Sequence, residues 1–111
     1  MSDILSKIAD LSAAGKAVCL CVVTKTRGAV PRHAGTKMLV YPDGKSEGTV
    51  GGGGVEQAAH QAALDAFKDG KPKTVYYSLK ADDDASLGVC GGDMEVYIEP
   101  ILPADTLLII G

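Results

Sequence analysis

The chain has 111 residues, 46% of them hydrophobic and 23% charged, with a net charge of −3. That length suits one domain, the acidic balance excludes the basic footprint of a nucleic-acid binder, and no apolar run approaches the roughly 18 residues of a membrane-spanning helix. The start, Met1-Ser2-Asp3-Ile4, lacks the basic region and apolar stretch of a secretory signal, and three cysteines form no even disulfide set, so a cytoplasmic protein with reduced thiols is expected.

In chain order, Ser2 or Asp3 can cap a short helix with Ile4, Leu5, Ile8 and Leu11 on one face and Gly15 as its stop. Ala17 to Thr24 is a continuous apolar, β-branched run, which suits a central strand buried on both faces. Lys25 to Thr36 reads as a loop carrying Lys25, Arg27, Arg32 and His33. Lys37–Tyr41 and Ser46–Val50 flank Pro42-Asp43-Gly44-Lys45 as a β-hairpin. Val55 to Lys68 reads as a helix with an alanine-rich inner face, ended by Gly70 and Pro72. Lys73–Leu79 and Met94–Pro100 are further strands, separated by the acidic loop Lys80–Gly88 and a cysteine turn, and Thr106–Ile110 is a last apolar strand. The fold class expected is α+β: a mixed β-sheet with a central buried strand, a β-hairpin, and two main helices packed on the sheet.

Two glycine-dense turns carry the functional signal: Gly48-Thr49-Val50-Gly51-Gly52-Gly53-Gly54-Val55-Glu56 and Gly88-Val89-Cys90-Gly91-Gly92. Consecutive glycines give up backbone entropy, which makes sense where positive φ or close backbone approach is required. Gly51 to Gly54 enter a helix, where free amides and the helix dipole suit a phosphate; tight packing is the competing reading. The run has neither the Lys-Ser/Thr of a P-loop nor the spacing of a dinucleotide fingerprint. Glu56, in the first helical turn, would repel an anion it faced, so a capping role or an amide-bearing ring suits it better.

Cys90, among Gly88, Gly91 and Gly92, is either an accessible thiol with a lowered pKa, hence a nucleophile or soft-metal ligand, or a buried inert one. Cys19 and Cys21 share one face of the expected central strand and read as packing residues. Arg27, Arg32, His33 and Lys37 either grip phosphate or carboxylate or are solvated loop charges. Asp82-Asp83-Asp84 lacks the ligand series of a calcium loop, and no Ser-His-Asp or paired-carboxylate arrangement stands out.

The segments Gly28-Ala29-Val30-Pro31-Arg32-His33-Ala34-Gly35-Thr36-Lys37-Met38, Gly48 to Glu56 and Leu87 to Gly92, followed by Glu99-Pro100, resemble the XdhC/CoxI family in order and spacing. The resemblance covers nearly the whole chain and matches the family's N-terminal domain. It implies a role in maturing molybdenum hydroxylases such as xanthine dehydrogenase: binding the molybdenum cofactor (molybdopterin), protecting it during sulfuration and helping to insert it. By the same resemblance, Arg32 and Gly51, Gly52, Gly53 and Gly54 would hold the phosphate end, and Glu56 would read pterin nitrogens. Cys90, with Gly91 and Gly92, would approach the molybdenum or its sulfido ligand. The implied partners are a molybdenum hydroxylase apoenzyme and a cysteine desulfurase.

Residues 1–111 are expected to form a single domain of this type, with 106–111 resembling the first strand of a Rossmann-like domain that longer members continue into. An uncovered terminal strand favours pairing with another subunit, so a homodimer is expected. A non-catalytic carrier is the leading reading. The alternatives are a thiol-dependent sulfur-transfer or redox enzyme using Cys90, and a scaffold subunit for a longer partner.

Overall fold

A computed structural model describes residues 2–28, 33–78 and 92–103. The expected strand Thr106–Ile110, the acidic loop Lys80–Gly88, and Arg32, Cys90 and Gly91 lie outside these residues.

Helix α1 (Ser2–Ala13) is followed by Gly15 at φ +75°, the left-handed stop its sequence anticipates. Strands β1 (Val18–Arg27), β2 (Lys37–Val40) and β3 (Ser46–Gly48) follow, then helix α2 (Gly53–Asp69) and strands β4 (Lys73–Ser78) and β5 (Asp93–Ile101). The five strands form one sheet in the order β3-β2-β1-β5-β4, which makes β1 the central strand.

All four pairings among the described residues are antiparallel, where a mixed sheet was expected. The reason lies in the connections. β3 and β4 run in the same direction, and α2 is the crossover between them, but they occupy opposite edges of the sheet and never become neighbours. The fold is thus α+β with a central strand, built on an antiparallel sheet.

One face of the sheet is dry. Cys19, Cys21 and Val23 of β1, Met38 and Val40 of β2, and Met94, Val96 and Ile98 of β5 pack against Val55, Ala59, Ala63 and Ala66 of α2. The alanine ridge lets the helix lie close, and Cys19 Sγ reaches the Ala63 carbonyl at 3.6 Å. Gly70, at φ +71°, ends α2 by donating its N–H to Ala66 O at 2.8 Å.

The opposite face is less uniform. Leu39 and Val18 are buried there, while Leu20, Val22 and Tyr97 are half-buried. Glu47 pairs with Leu39 in the β2–β3 register and so shares its face, and Lys7 of α1 forms an ion pair with it. That contact ties α1 to the side away from α2.

Candidate functional site

The antiparallel topology brings the described flanks of three motif segments to one end of the sheet, while Glu99-Pro100, paired with Leu20 and Cys19, lies towards the other. β1 ends at Arg27 and β2 begins at Lys37, so the basic loop departs and returns there. Gly48 pairs with Met38, so the glycine turn and the start of α2 belong to the same end. Ser78 pairs with Asp93, and the segment containing Cys90 is bracketed by them. Segments far apart in sequence therefore converge on one rim.

Within the glycine turn, Gly51, Gly52 and Gly53 take φ of +136°, +74° and +56°, conformations that favour glycine. Gly48, at φ +79°, could not carry a side chain, since a Cβ there would meet Lys37 O at 2.8 Å. Gly54 is helical, and a Cβ on it would fall 1.9 Å from the Tyr77 hydroxyl. The N-terminus of α2 is thus pressed onto β4, with Tyr77 filling the space a side chain would take.

Glu56 is the latch of this turn. Its Oε1 accepts the Gly52 N–H at 3.0 Å and the Thr49 hydroxyl, and Thr49 Oγ1 in turn accepts the Gly51 N–H at 3.0 Å. Two of the four glycine amides expected to face a phosphate are therefore satisfied internally. The amides of Gly53, Gly54 and Val55 have no acceptor among the described residues. Glu56 Oε2 is likewise without a partner among them. The Glu56 residue lines, with Gly53, Gln57, His60 and Gln61, a cavity of about 480 Å³. His60, half-buried, is held by Gly44 O at 2.7 Å from Nε2, which anchors α2 to the hairpin turn.

A larger cavity of about 720 Å³ opens at the same rim, lined by Thr24, Lys25, Arg27, Tyr76, Asp93 and Glu95 among others. Tyr77 also lines it, and so stands between this cavity and the start of α2. β1 reaches it through a bulge: Val23 pairs with Val96, but Lys25 pairs with Glu95, and Thr24 is the extra residue. In regular alternation Lys25 and Arg27 would follow Cys19, Cys21 and Val23 into the dry face. The bulge turns both cations to the other side.

Sequence reading assigned Lys25 to Arg27 to a loop and missed the cavity floor they help to form. The available signal was the alternation itself, which sets two cations at core positions and so demands a change of register. Two cations of the basic cluster, Arg27 and Lys37, are already engaged. Arg27 donates to Asp93 Oδ2 through Nε at 3.2 Å and Nη2 at 2.7 Å, and Ser78 Oγ donates to Asp93 Oδ1 at 2.7 Å. Lys37 Nζ donates to Gly35 O at 3.0 Å, and His33 is exposed. Gly92 is buried immediately before β5.

Cys19 and Cys21 are fully buried, as expected for packing residues. Burial pushes the Cys19 thiol up to about 11; burial, then the charge of Cys19, pushes Cys21 up to about 12. Neither is a nucleophile near neutral pH. No group of three metal-ligating side chains occurs among the described residues, and no helix among them is long and apolar enough to cross a membrane.

The family model for the XdhC and CoxI family matches residues 11–78, a span that holds the basic loop, the glycine turn and α2. The chain belongs to the XdhC and CoxI family. It is 31% identical over 110 residues to the uncharacterized protein YqeB of Escherichia coli K12, covering 98% of this chain and 20% of that protein. It is 30% identical over 96 residues to the molybdenum cofactor insertion chaperone PaoD of the same organism, covering 86% of this chain and 30% of that one. A crystal structure described as a xanthine dehydrogenase from Bacillus halodurans matches with a TM-score of 0.71 and 29% identity, over 90% of this chain and 30% of that chain. The chain therefore spans only 20–30% of the length of these relatives. The family match runs from the end of α1 through β4.

Proposed function

We propose that this domain is a molybdenum-cofactor carrier acting in the maturation of a molybdenum hydroxylase. The observation that carries the reading is convergence. Three of the segments by which the chain resembles its family have described flanks at one rim, beside two cavities and a helix N-terminus whose first three amides have no acceptor among the described residues.

The residues fit such a cargo in part, and with a division of labour. A phosphate would be taken by the amides of Gly53, Gly54 and Val55, because Gly51 and Gly52 are committed to closing the turn. Glu56 would use Oε1 as the latch and offer Oε2 to a pyrazine-side N–H of the pterin, leaving the ring's 2-amino-4-oxo edge free, which keeps its charge useful next to a phosphate site. Arg32 and Cys90, with Gly91 and Gly92, complete the proposal, the thiol as a soft contact for molybdenum or its sulfur.

Purification from a molybdenum-replete host tests this directly. Molybdenum and pterin are expected to co-purify with the folded protein in stoichiometric amounts, and Cys90→Ser to lose molybdenum without a change in thermal stability. Folded protein that carries neither would refute the carrier reading; unchanged retention in Cys90→Ser would remove that thiol from it.

A further inference from the structure

The floor of the larger cavity holds side chains that the carrier reading leaves unused. Lys25, Glu95 and Tyr76 are cross-strand partners on β1, β5 and β4, so they form one row on the face away from α2, and all three line the cavity. With strands about 4.8 Å apart, a cation, a carboxylate and an aromatic ring stand within about 10 Å of one another.

Each member of the row has capacity to spare. Tyr76 is 76% exposed, one of two large hydrophobic residues so open among those described. Glu95 Oε2 accepts the Thr24 hydroxyl at 2.7 Å, while Oε1 has no partner among the described residues. Lys25 forms no ion pair among them. The next row, Arg27, Asp93 and Ser78, is by contrast joined within itself by hydrogen bonds. The row with capacity is the one that carries the aromatic ring.

Resting on the carrier reading, we infer that this row is a ring-binding subsite for a planar heterocycle with a 2-amino-4-oxopyrimidine edge, stacked on Tyr76, hydrogen-bonded to Glu95 and carrying its anionic substituent towards Lys25. The carboxylate selects the ring. Pterin and guanine set an amino group beside a ring N–H, two donors that match two carboxylate oxygens, whereas adenine and cytosine set a ring acceptor beside their amino group. Thr24 holds the carboxylate in place, and it does so from the bulge that also delivers Lys25 to the row.

Titration with pterin-6-carboxylate tests the subsite, because the chain has no Trp and pterin fluorescence can be read where tyrosine does not absorb. Saturable binding is expected, preferred over lumazine-6-carboxylate, in which an oxo group replaces the amino group. Tyr76→Ala is expected to raise Kd about tenfold and Tyr76→Phe to leave it unchanged. Glu95→Gln should erase the preference for pterin over lumazine; should it unfold the protein, the two Tyr76 variants still decide. GMP, whose guanine carries the same edge, is expected to compete where AMP does not, and GMP that fails to compete would overturn selection by that edge.

No binding by the wild type, or unchanged affinity in Tyr76→Ala, overturns the inference. The two readings fail separately. Protein that binds the probe through Tyr76 but never carries molybdenum refutes the carrier and keeps the subsite; full molybdenum retention by Tyr76→Ala and Glu95→Gln does the reverse.

Discussion

The two faces of one sheet divide the work of this domain, and the same strands supply both. Beneath α2, Cys21, Val23, Met38, Val96 and Ile98 are fully buried, and no buried polar or charged residue occurs among those described. Across the sheet at the rim, the alternate positions of β1, β5 and β4 present Lys25, Glu95 and Tyr76, then Arg27, Asp93 and Ser78. The dry face supplies stability in proportion to the apolar area it removes from water, and the rim is free to hold charges that a core could not tolerate. A single bulge at Thr24 is what allows β1 to serve both, since it moves the two cations off the apolar side.

The sharpest way to break this comparison is to truncate one side chain on each face. Met38→Ala, at a fully buried position, is expected to cost about 2–5 kcal/mol, a large share of the ~5–15 kcal/mol that keeps a domain folded. Tyr76→Ala, at a position 76% exposed, is expected to change stability by no more than about 0.5 kcal/mol while weakening ring binding. Urea denaturation of both variants measures the contrast. A loss at Tyr76 as large as that at Met38 would mean that the rim is structural.

Legibility followed the same division. The dry face could be read because its elements are strongly patterned: the Val18–Val23 run, the Pro42–Lys45 turn, the alanine ridge of α2 and its Gly70 stop all lie where the residues predict. The rim was hidden for two physical reasons. Polar residues at strand ends, such as Lys25, Thr26, Arg27 and Asp93, look like loop when the register change that makes them strand is not inferred. For Glu56, the position in the first helical turn predicts a cap, and the bond from the Gly52 amide agrees, but its second partner, the Thr49 hydroxyl, is one that only the folded turn brings to it. The edge-to-edge crossover through α2 was equally invisible, because neighbouring-strand order is a long-range property.

A second contrast concerns the thiols. Cys19 and Cys21 are held protonated by burial, with pKa pushed to about 11 and about 12, and Tyr41 is pushed to about 12 by burial and its hydrogen bond to Glu47. A group whose folded pKa is raised stabilises the fold fully below its unfolded value and loses that contribution as pH rises through the folded one. Stability is therefore expected to be flat to about pH 9 and then to fall, each buried thiol adding up to about 1.4 kcal/mol per pH unit within its window. Cys21→Ala should shallow this alkaline fall in urea-midpoint measurements between pH 8 and pH 11. An unchanged fall would mean that the thiols are not what the dry face protects.

The smallest effect is expected at the ion pair between Lys7 and Glu47, which ties α1 to the sheet. Glu47 has its pKa lowered, first by the hydrogen bond from Lys7 and then by that from Tyr41. A lowered carboxylate contributes above its unfolded pKa, and the contribution disappears as pH falls through the folded value. The pair is roughly half exposed at both ends, with side chains 49% and 42% accessible, so solvent screens most of its attraction. Glu47→Gln should therefore leave stability at pH 7 almost unchanged and reduce the loss seen below about pH 4, near the usual glutamate value. Hydrogen exchange distinguishes a local role from a global one. If Glu47 serves only to dock α1, protection in Ser2–Ala13 should fall in the variant while the amides of β1 and β5 keep theirs. Equal losses in the central strands would mean that α1 belongs to the same cooperative unit as the dry face, and the division between the two sides of the sheet would then be one of chemistry alone.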